Sequence, residues 1–473
     1  MKRSVKVARN TSWLVIAMFF SRVLTALFII LLANHLLPES FGVFNFAMAI
    51  SYVAVVMVDW GFDELAVREV SRDPSKGPSI LGNMLTIRTL FGIITLGILA
   101  LLFKILLNNI PTGMSLSILL LAGSMIVLEK ISNSFIAIFQ ANERMELHAL
   151  TNIVWRCFFL SLGVMGIMLG FELFKILILL LFTYILNLVV SAMVYRIKLN
   201  GKINRPKVSS WNPLIKKASP FMVFIVVSVI YGHIIILLLS TIRGDFETGI
   251  YSASWKIIVF FGAIPYSFGR ALYPLFSKFS KSDKDVMKTA YEYSLRYLLI
   301  LSIPLTIGLY IIAEDILGIL YRGEYRDTVA VFKTMIWTIP FLFMNGSLKM
   351  VLWGSDRTKT SSNNLIWASL VLISSGILLI PRYGVIGAAT AIVVAEMVHF
   401  FTNYHSVTTF MQPLDLSLLW KPWLACGVMA VVLYAPIGMI GLPLAVILYF
   451  VVLYALKGIT KEDITVMRRA IGF

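Results

Sequence analysis

The chain has few charged residues for its length. Of its 473 residues, 14% are charged and 59% are hydrophobic, whereas soluble domains carry about 25% charged and about 45–50% apolar residues. This shortage of charge excludes an ordinary soluble domain. It predicts an all-α polytopic membrane protein, because the apolar runs lack the alternation of transmembrane strands.

Cysteine is also scarce, as are the motifs of cofactor chemistry. The only two cysteines, Cys157 and Cys426, lie far apart in apolar runs, which excludes a disulfide or metal framework and predicts inert core residues. No Walker-type G-x-x-x-x-G-K-[ST] motif occurs, so we expect no bound ATP. The sequence has no metal-ligand spacing and no nucleophile motif, so we expect neither a cofactor nor an enzyme.

Acidic residues are fewer than basic ones. The 24 Asp and Glu oppose 41 Lys and Arg, for a formal net charge of +17. About 27 of the basic residues fall on one side of the predicted spans and about 7 on the other, which places both termini in the cytoplasm of a cell-membrane protein. No soluble domain carries a basic cluster, so we expect no nucleic-acid partner.

Long apolar runs predict about fourteen transmembrane helices, since a span needs about 20 apolar residues. They lie roughly at 12–36, 41–60, 84–107, 115–140, 147–170, 174–195, 219–241, 249–274, 293–313, 329–353, 363–381, 384–405, 420–440 and 442–457. An external loop near 314–328 is too short for the donor and acceptor sites of a membrane glycosyltransferase or ligase.

Two pairs of similar short segments, here called the first and second sequence echoes, indicate an internal repeat. Residues 41–45 (FGVFN) resemble 248–252 (TGIYS), and 140–144 (QANER) resemble 353–357 (WGSDR). The offsets are about 207 and about 213 residues, as expected of diverged repeats with small insertions. Six helices per repeat would keep both copies in the same orientation, related by an axis along the membrane normal.

The repeat predicts a division of the chain into lobes. The expected parts are an N-terminal six-helix lobe over 1–196, a basic cytoplasmic linker over 197–217, a C-terminal six-helix lobe over 218–406, and two further helices with a basic tail over 407–473. Two parallel lobes are typical of transporters that alternate access to a central site.

Four cations lie deep inside otherwise apolar runs: Arg22, Lys130, Arg156 and Lys256. A charge at the centre of a bilayer costs at least about 2.5–3.5 kcal/mol, so such residues face a protected cavity or a partner. Because acids at comparable depth are fewer, these cations favour an anionic cargo. Arg88 lies near the end of a predicted helix, where a long side chain can reach the membrane interface.

Polar residues at helical spacing extend this candidate site. His148 and Asn152 share a helix face with Arg156, so the predicted substrate-binding set is Arg22, Arg156, Lys256, Lys130, Asn152 and His148. Glu129 and Glu396 are the candidates for ion coupling, since an unpaired carboxylate in a low-dielectric site readily binds a proton or Na⁺. An ion pair with a neighbouring helix is an equal alternative for Glu129 and Lys130.

Several motifs resemble polysaccharide flippases of the MOP superfamily. They are Ser21-Arg22, residues 37–42 (LPESFG), 139–143 (FQANE), 249–253 (GIYSA) and 380–389 (IPRYGVIGAA). Their order along the chain carries the resemblance, which covers essentially the whole sequence.

The resemblance implies a MATE-like, two-lobed fold that moves a polyprenyl-diphosphate-linked oligosaccharide across the cytoplasmic membrane. The diphosphate would lie against Arg22, Arg156 and Lys256, and polysaccharide assembly proteins are candidate partners. Lipid II flippases share the fourteen-helix plan and remain an alternative. MATE-type cation antiporters are the other alternative, although they need buried acids to select their cargo.

Overall fold

The computed structural model describes residues 2–106, 113–280, 284–413, 417–434 and 441–458. Within these ranges the chain is helical apart from turns and three-residue 3₁₀ segments, and it contains no strand. The prediction of an all-α polytopic membrane protein is confirmed at this level. The predicted basic tail beyond residue 458 lies outside the described residues.

The described part of the chain forms seventeen α-helices. The first nine are α1 (Lys2–Ala54), α2 (Val56–Asp59), α3 (Phe62–Arg72), α4 (Gly77–Leu106), α5 (Leu116–Ala141), α6 (Met145–Met168), α7 (Leu173–Lys198), α8 (Trp211–Arg243) and α9 (Asp245–Phe261). The other eight are α10 (Ala263–Phe279), α11 (Lys284–Ile311), α12 (Ala313–Leu320), α13 (Thr328–Met335), α14 (Thr338–Gly354), α15 (Thr358–Thr408), α16 (Ser417–Tyr434) and α17 (Gly441–Ala455).

At least eight of these helices are long and apolar enough to cross a membrane. The number is nine if the bent pair α13 and α14 is taken as one span, and α16 and α17 are shorter apolar helices. These counts cover the described ranges alone. The total of fourteen spans therefore stays a prediction.

Two helices are longer than one membrane crossing and contain a break. At about 1.5 Å per residue, α1 would extend about 80 Å, against a hydrocarbon core of about 30 Å. Leu37 interrupts α1 with φ 63° and ψ 169°, and Gly384 interrupts α15 with φ 55° and ψ −136°. Each break is next to a proline-containing sequence and falls at the predicted gap between two spans.

The helices divide into two compact units. The first contains Met1–Lys256 and Gly376–Ala388, and the second contains Ile257–Ser375 and Ala389–Phe473. In the first unit, α1 packs against α6, α5 and α8; in the second, α14 packs against α10 and α11. Each unit has its own core of buried aliphatic and aromatic residues. The predicted lobe boundaries stay a prediction.

The first sequence echo corresponds to a reciprocal contact within the first unit. A Cβ on Gly42 would lie 1.8 Å from the carbonyl oxygen of Asp245, and one on Gly249 would lie 1.9 Å from that of Pro38. Each glycine thus packs against the residue four positions before the other glycine. Such mutual contact is what an approximate twofold relation between the two segments produces.

The second echo adopts the same turn in both copies. Glu143 and Asp356 occupy equivalent positions and have φ values of 55° and 58°. In each turn the N–H of the following arginine donates to the carbonyl five residues earlier, at 2.9 Å for Arg144 and 2.8 Å for Arg357. The echoes therefore encode matching local structure, which supports the predicted repeat.

The two cysteines differ in their surroundings. Cys426 is buried, whereas Cys157 is exposed on α6. The prediction that both are core residues is therefore wrong for Cys157, because helical spacing turns this position away from the packed face that holds Trp155 and Phe159.

Candidate functional site

Arg156 lies among aromatic side chains on α6. The carbon at the centre of its guanidinium group is 4.1 Å from the centroid of the Trp155 ring and 5.7 Å from that of Phe159. Its Nε atom is buried without a hydrogen-bond partner, and no carboxylate in the described ranges forms an ion pair with it. Aromatic faces attract a cation without neutralising it. Arg156 therefore carries a positive charge that forms no ion pair among the described residues of the first unit.

Tyr52 contacts both Glu129 and His233. Its hydroxyl donates to Oε2 of Glu129 at 3.4 Å, and its ring stacks on His233 with a centroid separation of 4.8 Å and an interplanar angle of 9°. Nδ1 of His233 is buried without a hydrogen-bond partner. Three helices, α1, α5 and α8, thus bring together a carboxylate, a phenol and an imidazole.

Two of the predicted cations, on different helices, interact electrostatically with this group. Arg156 is close enough to interact electrostatically with Tyr52, and Lys256 of α9 is within electrostatic range of His233. In the described ranges, Lys256 has no ion pair with an acid. We call Tyr52, Glu129, Arg156, His233 and Lys256 the polar cluster of the first unit.

The sequence did not single out Tyr52, although it is central to this cluster. A tyrosine within an apolar run is indistinguishable from an ordinary core residue. Its pairing with Glu129 joins residues 77 positions apart, so no local periodicity could have revealed it.

His148 and Asn152 precede Arg156 on α6, and each contacts a side chain outside the polar cluster. The Ser21 hydroxyl donates to Oδ1 of Asn152 at 2.8 Å and joins α1 to α6. His148 contacts the Gln140 side chain at 3.4 Å between Nδ1 and Nε2. Arg22 follows Ser21 on α1 and is half-buried. A role of these three residues in substrate binding stays a prediction.

Lys130 and Arg88 belong to a separate buried charge network. Lys130 Nζ is 2.6 Å from Oδ2 of Asp59, and Arg88 contacts Asp63 at 2.9 Å and Asp59 at 3.4 Å. Arg88 also donates to Ser134 Oγ at 2.8 Å. Two cations thus face two carboxylates, and the ion pair of Lys130 favours the structural alternative considered for this residue.

The expected interfacial position of Arg88 is wrong. Its side chain is fully buried, and it forms ion pairs with Asp59 at the end of α2 and Asp63 at the start of α3. Burial raises the pKa of Asp63, and this effect outweighs the opposing charge of Arg88.

Glu396 lies at one end of a series of hydrogen-bonded asparagine side chains in the second unit. Only 4% of it is exposed, and Asn345 Nδ2 donates to its carboxylate at 3.0 Å. Asn403 donates in turn to Asn345 at 3.0 Å, and Asn364 donates to Asn403 at 3.0 Å. Glu396, a predicted candidate for ion coupling, is therefore part of a network that joins α14 to both halves of α15.

The sequence matches two known protein families. The family described as "Polysaccharide biosynthesis protein" matches residues 7–280, more than half of the chain. The chain belongs to this family, within the MOP superfamily. The family described as MatE also matches, over residues 220–378, and the resemblance of the sequence motifs is thereby confirmed.

Two curated relatives and one solved structure are similar to this chain over different shares of its length. The probable low-salt glycan biosynthesis flippase Agl15 of Haloferax volcanii is 18% identical over 86% of this chain and 84% of its own length. The probable flippase AglR of the same organism is 23% identical, but the match spans 42% of this chain and 44% of AglR. The inward closed structure of the lipid II flippase MurJ has a TM-score of 0.75 at 18% identity and covers 93% of this chain and 97% of that one.

Proposed function

We propose that the protein is a flippase for a polyprenyl-diphosphate-linked oligosaccharide. The observation that carries the proposal is a pair of cations without ion pairs in the described ranges: Arg156, which interacts electrostatically with Tyr52, and Lys256, which interacts electrostatically with His233. Partly buried cations without an acidic ion-pair partner favour an anionic ligand, and a diphosphate offers charged oxygens to both of them. The name of the relative Agl15, a probable low-salt glycan biosynthesis flippase, agrees with this class of cargo.

The proposed mechanism is alternating access in the cell membrane, with both termini in the cytoplasm. Arg22 is the third proposed contact of the diphosphate, as the resemblance implies. The lipid tail would remain in the bilayer while the glycan crosses. Proteins of polysaccharide assembly are the proposed partners.

We expect Arg156→Ala and Lys256→Ala to reduce surface polysaccharide about 10- to 100-fold, since a hydrogen bond to a charged group contributes about 1.5–3 kcal/mol. Surface polysaccharide is measured in the native host after the gene is replaced by each variant. The membrane level of each protein is measured in parallel.

The matched control is Arg322→Ala, which removes an exposed cation far along the chain from the polar cluster. It is expected to leave export unchanged. Wild-type export in both Arg156→Ala and Lys256→Ala cells would rule out these residues as cargo contacts.

We also propose that Glu129 couples transport to a proton or Na⁺ gradient, because its one hydrogen-bond partner in the described ranges is the neutral Tyr52 hydroxyl. Glu129→Gln is expected to make lipid-linked oligosaccharide transport in proteoliposomes insensitive to the coupling gradient. Glu396→Gln tests the second candidate, and Glu314→Gln, at an exposed acid, is the control. Transport by wild type that ignores both gradients would contradict the coupling role.

A lipid II-type precursor is the second candidate cargo. The structural similarity to the lipid II flippase MurJ, with a TM-score of 0.75, favours it. The lipid intermediate that accumulates after deletion of the gene distinguishes the two: a surface-polysaccharide precursor supports the first proposal, and a peptidoglycan precursor supports the second. A MATE-type antiporter would instead export a cationic dye in a manner that depends on Glu396.

A further inference from the structure

The segment between α7 and α8 has an extreme charge composition. Residues 196–217, here called the basic segment, contain no acid. They contain seven cations: Arg196, Lys198, Lys202, Arg205, Lys207, Lys216 and Lys217. A segment of this composition repels itself unless anions lie nearby.

The cations of the basic segment are accessible and have no acidic partner. All seven are exposed. No carboxylate in the described ranges forms an ion pair with any of them. The described part of the chain therefore leaves this concentration of charge without acidic partners.

The backbone of the basic segment is held in place against the start of α4. The Asn204 N–H donates to the Pro78 carbonyl at 3.2 Å. Oδ1 of Asn83 accepts from the Lys207 N–H at 2.9 Å and from Trp211 Nε1 at 3.1 Å. A Cβ on Gly82 would lie 2.1 Å from the Asn204 carbonyl oxygen, so this contact depends on glycine.

A second anchor lies on the other side of the segment. The Tyr195 hydroxyl donates to the Lys202 carbonyl at 3.0 Å, and the Gly201 N–H donates to the Tyr195 carbonyl at 3.3 Å. These bonds fix the central cations on an ordered surface. Binding to such a surface loses less conformational entropy than binding to a free loop.

Exposed apolar side chains lie between the cations. Ile197, Ile203 and Val208 are 69%, 51% and 71% exposed. The segment directly follows the apolar span Leu173–Lys198 and precedes the span Phe221–Arg243, so its position along the chain places it at the membrane surface. Cations interleaved with exposed apolar residues are typical of segments that lie in the lipid headgroup region.

We propose that the basic segment is a binding surface for anionic lipid headgroups. The cations contact the phosphates of acidic lipids, and Ile203 and Val208 enter the boundary with the acyl chains. A soluble acidic protein would satisfy the charges alone and would leave these apolar side chains in water. This surface does not depend on the proposed flippase activity, because it requires only that the protein spans a membrane.

The test uses the full chain in neutral detergent with a fluorescent nitrobenzoxadiazole label on Val208→Cys. Cys157→Ser removes the exposed native cysteine. The labelled protein is titrated with short-chain phosphatidylglycerol and, separately, with phosphatidylcholine. We expect a preference for phosphatidylglycerol that weakens as salt is added, since exposed charges are screened by salt.

The decisive variant removes the three central cations as Lys202→Gln, Arg205→Gln and Lys207→Gln. The preference for phosphatidylglycerol is expected to fall about fivefold for each cation, or about a hundredfold in total. The matched control is Lys175→Gln, Arg322→Gln and Arg326→Gln, which removes three exposed cations outside the segment. The control should retain the wild-type preference.

A positioning variant tests whether the ordered backbone matters. Asn83→Ala keeps all seven cations but removes the acceptor of Lys207 and Trp211, and we expect about a two- to fivefold loss of lipid preference. Gel filtration confirms that each variant remains monodisperse.

Three outcomes would overturn the proposal. The first is equal affinity for the two lipids, and the second is a loss in the control triple as large as in the decisive one. The third is competition by inorganic pyrophosphate or an acidic peptide as strong as that by phosphatidylglycerol, which would identify a site for soluble anions instead.

Discussion

Gly42→Ala is expected to destabilise the protein by about 3 kcal/mol, near the upper end of the range for overpacking. The new methyl carbon would lie 1.8 Å from the Asp245 carbonyl oxygen and 2.7 Å from its carbonyl carbon. These are backbone atoms of α9, so no side-chain rotation can relieve the collision. The start of α9 must move away from the second half of α1.

The reciprocal contact predicts that Gly249→Ala has a similar effect. Its added Cβ would lie 1.9 Å from the Pro38 carbonyl oxygen. Because both substitutions separate the same pair of segments, the double variant should lose less stability than the sum of the single losses. Thermal unfolding in detergent, followed by gel filtration of the soluble fraction, measures each effect.

Gly232→Ala is the matched control for these glycines. It also lies within a long apolar helix, but an added Cβ would meet no atom within 4 Å. Alanine has a higher helix propensity than glycine, so this change is expected to be neutral or stabilising by up to about 1 kcal/mol. Equal melting temperatures for Gly42→Ala and Gly232→Ala would contradict the close approach of the two backbones.

Arg88→Met is expected to destabilise the protein by about 3–5 kcal/mol, the effect of removing one partner of a buried ion pair. Methionine retains much of the volume but removes the charge from a fully buried site. Asp63 then loses its ion pair with Arg88, and Asp59 keeps only Lys130. A buried carboxylate without a partner is the main source of the expected loss.

Two further variants separate charge from geometry at this site. Arg88→Lys keeps the charge, but one ammonium group cannot reach all of the acceptors that the planar guanidinium contacts, so we expect a smaller loss. Adding Asp63→Asn to Arg88→Met restores the charge balance and should recover part of the stability. A double variant no more stable than Arg88→Met would show that the Asp63 charge is not the cause.

The deep cations illustrate what sequence patterns can predict here. A charge inside an apolar run is visible in the sequence, and Arg156, Lys256 and Lys130 all qualify by that criterion. The structure separates them, because Asp59 reaches Lys130 from a segment 71 residues away, whereas no acid in the described ranges forms an ion pair with Arg156. Helical periodicity describes one helix at a time and cannot detect a partner on another.

Repeats and turns were more accessible to sequence reasoning. The short echoes around Gly42 and Gly249, and around Glu143 and Asp356, gave matching backbone conformations. A close backbone contact requires glycine, and a helix end often requires a residue in the left-handed conformation. Both requirements restrict the residue type at one position, so they can be recognised in a short stretch of sequence. The breaks in α1 and α15, at Leu37 and Gly384, coincide with predicted boundaries between spans, and the total of fourteen spans stays a prediction.

The sequence by itself determined the membrane class, the helical fold, the family and the uneven charge distribution. The membrane class and the helical fold follow from composition and local periodicity, which lipid imposes on every span. The family follows from the resemblance of the sequence motifs. The tertiary structure alone decided which of the deep cations form ion pairs, and that Arg156 and Lys256 interact with the stacked pair Tyr52 and His233. The physical reason is that electrostatic compensation depends on distances between side chains that are far apart in the chain, and only packing brings them together.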